Sequence, residues 1–151
     1  MDRIFETANT NETQELGKAL GKRLKPGDFL ALTGDLGAGK TAFTAGIARG
    51  LGIEEDITSP TFTIINQYEA KIPLAHMDAY RLNGPEELEN IGYYDYLEGF
   101  VVVLEWADRV ECLVPEDALR IDIAVLDENR RSIRIHSQSP KFDKILQELN
   151  A

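Results

Sequence analysis

At 151 residues the chain is long enough to bury about 70% of its unfolded surface in one core without disulfides or a structural metal, and one domain over residues 1–151 is expected. Its 26 acidic and 16 basic residues give a formal net charge of −10, which repels a nucleic-acid backbone and leaves unaided binding to one disfavoured. The single cysteine, Cys112, rules out a disulfide framework, and no apolar run approaches a membrane span; with no apolar stretch of a signal peptide after Met1, a reducing, cytoplasmic setting is expected.

Residues 3–7 read as a short edge strand. Asn9 or Thr10 caps a helix whose apolar face is Leu16, Ala19, Leu20 and Leu24, and Asn9 with Glu12 fits a capping box. Pro26-Gly27 then turns the chain into Asp28-Phe29-Leu30-Ala31-Leu32-Thr33, an apolar run of the kind a buried parallel strand shows. Directly after it comes Gly34-Asp35-Leu36-Gly37-Ala38-Gly39-Lys40-Thr41, which fits the phosphate-loop pattern G-x-x-x-x-G-K-[ST] at every fixed position. Ala42, Phe43, Ala45, Ile47, Ala48 and Leu51 follow in a helical window closed by Gly50 and Gly52. Strand, glycine loop and helix thus stand in the order a phosphate loop requires.

Ser59-Pro60-Thr61-Phe62-Thr63 leads into Ile64-Ile65-Asn66-Gln67-Tyr68, a strand by its β-branched and aromatic content. Ala70-Lys71 turns it toward Ile72-Pro73-Leu74-Ala75-His76-Met77-Asp78, so an antiparallel hairpin is expected, with Pro73 favouring an edge position. Gly84-Pro85-Glu86-Glu87-Leu88 opens a short helix, and Gly92-Tyr93-Tyr94-Asp95-Tyr96 is an aromatic segment of undetermined form. Gly99 to Trp106 is a second buried strand, an unbroken apolar run ending in the carboxylate of Glu105. Leu119–Val125 and Ser132–His136 alternate polar with apolar across a polar turn, as a hairpin does. Phe142, Ile145, Leu146 and Leu149 form one face of a closing helix.

The chemistry gathers at four places. In the loop, backbone N–H groups must turn inward around an anion, which needs positive φ and no side-chain bulk, and Gly34, Gly37 and Gly39 allow both. Lys40 adds a point charge toward the β- and γ-phosphates, Thr41 offers a hydroxyl to Mg²⁺, and the helix beginning here points its positive dipole end at the phosphates. Gly34, Asp35, Leu36, Gly37, Ala38, Gly39, Lys40, Thr41 and Ala42 are therefore the candidate nucleotide-binding residues. Glu105 ends an apolar strand, where an ionised carboxylate is costly unless a cation or donors meet it. Doubly wound sheets gather ligands at such strand ends, and phosphate-loop enzymes set an acid there that meets Mg²⁺ directly or through water; the alternative is a strand end reaching solvent. His76, Asp78 and Tyr80 alternate onto one face of an extended strand and either converge on one small volume or form the outward face of an edge hairpin. Zinc is disfavoured, because Cys112 and His136 show no ligand spacing with His76. Ser59-Pro60-Thr61 is either a plain turn or a switch-like loop presenting a hydroxyl near the γ-phosphate.

Together, Gly34 to Thr41, Ser59-Pro60-Thr61-Phe62, His76-Met77-Asp78-Ala79-Tyr80-Arg81 and Glu105-Trp106 closely resemble, in this order, the motifs of the TsaE family, small ATPases of bacterial tRNA threonylcarbamoyladenosine synthesis. The resemblance implies an α/β, single-domain phosphate-loop NTPase fold with a mixed, partly parallel central sheet flanked by helices, which binds ATP with Mg²⁺ and hydrolyses it slowly. It implies the TsaB and TsaD proteins as partners, tRNA reached through that complex rather than directly, and modification of the adenosine beside the anticodon. It also implies catalytic roles for Lys40, Glu105 and Asp78, metal contacts from Thr41, Glu105 and Asp78, and an aromatic, Trp106, beside the acid. Thr61 and His76 would fall in switch-like loops, and a rough alignment puts Thr10 and Arg131 near the nucleotide. A small-molecule kinase is the competing reading, yet such enzymes clamp phosphates with an arginine-rich lid, and Arg81, Arg109 and Arg130-Arg131 are scattered along the chain. A nucleotide-binding scaffold without catalysis is a third.

Overall fold

The structure, a computed structural model, describes residues 1–149. In chain order its elements are β1 (Asp2–Thr7), α1 (Thr10–Gly21), β2 (Phe29–Thr33), α2 (Lys40–Gly50), β3 (Ile65–Tyr68), β4 (Leu74–Asp78), α3 (Pro85–Asn90), β5 (Val101–Glu105), β6 (Leu119–Val125), β7 (Arg131–His136) and α4 (Asp143–Glu148). Short 3₁₀ turns fill Tyr93–Tyr96, Ala107–Leu113 and Pro140–Phe142.

The two unbroken apolar runs, β2 and β5, have no wet face to offer, so they need cover on both sides, which parallel pairing with helical crossovers supplies. They lie side by side near the middle of one seven-stranded sheet of order β1-β7-β6-β2-β5-β4-β3. The β2–β5, β2–β6 and β4–β5 pairs are parallel, and β1–β7, β6–β7 and β3–β4 are antiparallel. This is the mixed, partly parallel sheet that the resemblance implies. Leu30, Leu32, Val101 and Val103 turn toward Phe43 and Ile47 of α2 and Leu20 of α1. Phe29, Ala31, Val102 and Leu104 turn the other way, toward Leu88 of α3, Tyr93 and Val110. No described helix is long and apolar enough to cross a membrane.

One expectation is corrected. The strand after Pro73 is not at the edge: β4 pairs with β3 on one side and β5 on the other, and all of its residues are buried. Pro73 precedes the ladder, where its missing N–H is not needed, and its carbonyl accepts from Val101 N at 2.9 Å.

Helix α1 is capped by Asn9, whose Oδ1 accepts from Glu12 N at 2.9 Å; the Glu12 carboxylate reaches back to Ala8 N at 2.7 Å, one residue beyond the usual capping-box partner. Its contact with α2 is made of glycine. Gly17 and Gly21 on α1 meet Gly46 and Gly50 on α2, and a Cβ on Gly46 would sit 2.1 Å from Gln14 O, one on Gly21 2.3 Å from Ile47 O. The two backbones therefore touch, and α2 is pressed against α1 with no side chain between. Intrinsic propensity favours alanine over glycine inside a helix by about 1 kcal/mol. Gly46→Ala should nevertheless lose about 1–3 kcal/mol in a denaturant titration, because overpacking a rigid backbone contact outweighs the propensity gain; a stabilised variant would refute the close contact.

Candidate functional site

The glycine loop bridges the end of β2 and the start of α2. Gly37 and Gly39 have φ of 78° and 107°, and a Cβ on either would meet nothing within 4 Å, so glycine is needed there for conformation and the space before the loop stays open. Helix α2 begins at Lys40, which aims its unpaired N–H groups at the same space. From behind, Arg131 of β7 donates through Nε to Ala38 O at 2.9 Å and through a terminal nitrogen to Gly37 O at 3.4 Å. Two loop carbonyls are thereby held toward Arg131.

Lys40 Nζ donates to Gly34 O at 2.5 Å and Asp35 O at 2.9 Å and lies 4.2 Å from the centre of the Trp106 ring. Burial depresses its pKa, and the nearby charges of Glu105, Asp78, Asp35 and Asp108 oppose that shift.

Strand alternation delivers the acids. Asp78 and Glu105 are register partners at the ends of β4 and β5, on the sheet face that carries α2, and only 4% and 3% exposed. Asp78 accepts from Tyr80 N at 2.7 Å and from the Thr61 hydroxyl at 3.1 Å. Glu105 Oε2 is hydrogen-bonded to His76 Nε2. Burial pushes the Asp78 carboxyl above the usual carboxylate range and the neighbouring charge of Glu105 adds to this, while the bonds from Tyr80 and Thr61 pull it back.

These groups share a cavity of about 420 Å³. Leu36, Gly37, Gly39, Lys40, Thr41 and Ala42 line it on the loop side, and Thr61, Asp78, Glu105 and Trp106 line the opposite wall. Gly34, Asp35 and Ala38 belong to the loop without lining the cavity, and Arg131 buttresses it from outside. Thr10 is the exposed first residue of α1 and does not reach the cavity. The placing of His76 in a switch-like loop is corrected: it sits inside β4, with no exposed surface, beside Glu105. Buried strand partners leave it no loop to belong to.

The wall also contains residues to which sequence reasoning gave no role. Tyr80 stacks against Trp106 with ring centres 4.8 Å apart, and Trp106 itself holds a left-handed φ of 57°, a strained conformation for a side chain of that size. Arg109 lies over both rings, and Arg81, which also lines the cavity, lies over the exposed ring of Phe62 at 4.5 Å. The alternation of His76, Asp78 and Tyr80 is the signal for Tyr80; nothing in the spacing of Arg81 and Arg109 announces that one lines the cavity and the other lies over its aromatic wall.

The raised pKa of Asp78 means that the folded chain binds its proton more tightly than the unfolded one, whose ordinary value is 3.8. The ionised group therefore subtracts stability as pH rises from 3.8 through the folded value, and restores it as pH falls. Asp78→Asn removes this titration, so the stability of the variant relative to the parent, read from urea unfolding, should be more favourable at pH 7 than at pH 4. An equal difference at both pH values would contradict the assignment.

The sequence pattern of a family described as "Threonylcarbamoyl adenosine biosynthesis protein TsaE" matches residues 7–133. A Bacillus subtilis protein named "tRNA threonylcarbamoyladenosine biosynthesis protein TsaE" is 40% identical over 148 residues, covering 97% of this chain and 92% of its own. A Treponema pallidum protein of the same name is 41% identical over 128 residues, covering 84% and 95%. Among solved structures, that of Bacillus subtilis YdiB superposes with a TM-score of 0.82 at 37% identity, covering 99% of this chain and 94% of that one. With a match over most of its length and relatives at this identity, the chain belongs to the TsaE family.

Proposed function

We propose that this chain is an Mg²⁺-dependent ATPase, slow alone and stimulated by partners, that serves tRNA threonylcarbamoyladenosine biosynthesis together with the TsaB and TsaD proteins. The observation that carries the reading is the single cavity in which the loop, with Lys40 and Thr41, faces the two buried carboxylates Asp78 and Glu105. Membership of the TsaE family supports the pathway.

The residues fit the groups. A Cβ-free, open stretch of backbone at Gly37 and Gly39 suits phosphate oxygens approaching N–H donors. A hydroxyl and two carboxylates are hard oxygen donors of the kind Mg²⁺ takes. Among the described residues no group of three or more His, Cys, Asp or Glu side chains could cage a metal by itself, which suits a cation completed by phosphate and water.

Loop N–H groups and the start of α2 bind the phosphates. Lys40 exchanges the Gly34 and Asp35 carbonyls for the β- and γ-phosphate oxygens, and leaves the Trp106 ring in doing so. Thr41, Asp78 and Glu105 would hold the metal, and the two acids would also orient the attacking water. When bound, Mg²⁺ neutralises charge developing on the transferred phosphoryl group. The Thr61 hydroxyl ties the 59–63 segment to Asp78, so that segment registers whatever Asp78 binds. Arg131, by fixing the Gly37 and Ala38 carbonyls, keeps the loop in its receptive shape. The net charge of −10 supports reaching tRNA through the TsaB–TsaD complex rather than directly, in the cytoplasm.

A small-molecule kinase gains one point from the structure, since Arg81 lines the cavity and Arg109 lies over the Trp106 ring of its wall, where phosphate-clamping arginines would stand. Hydrolysis of ATP with Mg²⁺, measured alone and with the TsaB–TsaD pair, separates the two. The expected result is a rate that rises with the pair, disappears in Lys40→Ala, and falls on the order of a hundredfold in Glu105→Ala, the scale of losing one group that acts on the transition state. A rate indifferent to the pair, with labelled phosphate transferred to a metabolite, would favour the kinase. In the same preparation the isolated chain should retain tRNA only weakly, and less as salt is raised.

A further inference from the structure

We infer that His76 is a positioning residue: by bonding one oxygen of Glu105 it holds that carboxylate against the cavity wall and away from Lys40. The inference rests on the reading of Glu105 as a residue of the nucleotide site.

His76 is 0% exposed, in the middle of β4, opposite Val103 and on the sheet face shared with Leu74 and Val101. Its neighbours call for a leucine. Instead the ring spends one nitrogen on Glu105 Oε2 and leaves the other, Nδ1, as the one buried side-chain polar atom among the described residues with no partner. A buried polar atom left unpaired costs about 1–3 kcal/mol, so the residue is a poor choice for stability and needs another reason.

The bond sets the tautomer. An ionised carboxylate only accepts, so the hydrogen belongs on Nε2, and Nδ1 presents a bare lone pair. That is the less costly orphan, since buried acceptors go unpaired more often than buried N–H groups. The ring is thus a buried strut that donates through Nε2 to Glu105.

The same device recurs at the neighbouring acid. Asp78 is held by the Tyr80 N–H and the Thr61 hydroxyl, again neutral donors. Lys40, although close enough for both acids to influence its charge, makes its bonds to two carbonyls and lies over a ring. A Lys40–Glu105 ion pair in this low-dielectric pocket would cancel the positive charge that an incoming phosphate needs. These donors keep the acids in place without spending Lys40 on them, and they leave Glu105 Oε1 at the cavity wall with no hydrogen-bond partner among the described residues.

Glutamine places a donor nitrogen at about the reach of Nε2, whereas asparagine ends near Nδ1 and falls short. The test is to measure kcat and KM for Mg²⁺–ATP and the thermal midpoint for the parent, His76→Asn, His76→Gln and Glu105→Gln, with the partner pair present. Loss of a residue that orients a metal-site group costs on the order of 10–100-fold. His76→Asn is therefore expected to lose that much in kcat, with KM within about threefold, and His76→Gln to recover most of the loss. Equal losses in both variants that track the thermal midpoint would overturn the inference, as would parental kcat in His76→Asn beside a disabled Glu105→Gln. Parental turnover in Glu105→Gln would instead bring down the reading of Glu105, and this inference with it. A check that needs no variant is ¹⁵N NMR of the imidazoles, of which the chain has two, His76 and His136. His76 should carry a slowly exchanging hydrogen on Nε2; a bare Nε2, or a freely flipping ring, would refute the strut.

Discussion

Two carboxylates at the ends of adjacent parallel strands and one ammonium at the start of α2, all withdrawn from water, are the constraint on which this structure turns. Each would be costly to bury alone. The simplest remedy, pairing the lysine with an acid, would remove the site's capacity to receive an anion. The fold takes another course. The acids are met by a backbone N–H, a hydroxyl and an imidazole, the lysine by two carbonyls and an indole face. Desolvation is thereby offset without mutual neutralisation, and opposite charges are kept a short distance apart around one cavity. The pKa directions record the same balance, with burial pushing both Lys40 and Asp78 toward their neutral forms.

Holding that arrangement requires the loop to stand in one place. The glycine contact of α1 with α2 supplies it from one side, since a helix whose backbone lies directly on another has little room to slide. Arg131 supplies it from the other, through the carbonyls of Gly37 and Ala38. The glycine contact breaks a local rule, and so does Trp106 in the cavity wall: four glycines sit in helices that alanine would favour residue by residue, and Trp106 holds a conformation that suits glycine. Local preference is overruled where the backbone must come close to something.

Most of the fold was legible because its elements carry strong periodicities. The apolar runs of β2 and β5, the alternation of β6 and β7, and the glycine loop between strand and helix each announce themselves within a dozen residues. What was not legible depends on pairing. Pro73 suggested an edge, but the partner that makes β4 internal is β5, and its first residue, Val101, lies far along the chain. The chain's own pattern puts His76 in a strand and only the family resemblance sets it in a loop; nothing in its neighbourhood reveals the carboxylate it meets. Arg109 reads as isolated for the same reason: it lies over the aromatic pair of Tyr80 and Trp106, which comes together only when β4 and β5 align. Single-strand pattern shows which face a side chain occupies, and not what stands across from it.

The strand order has one further consequence, for the time course of biosynthesis. The strand that carries the loop, β2, ends at Thr33, yet its two neighbours in the sheet are β5, beginning at Val101, and β6, beginning at Leu119. While the chain emerges from the ribosome, the loop-bearing strand is complete long before either flank exists, and both of its edges stay unsatisfied until the last third of the sequence arrives. Closing such distant pairs is slow, and an unpaired apolar strand is prone to aggregate in the interval. The candidate cavity is thus a late product of synthesis, lined from Leu36 to Trp106 rather than within the segment that bears its signature.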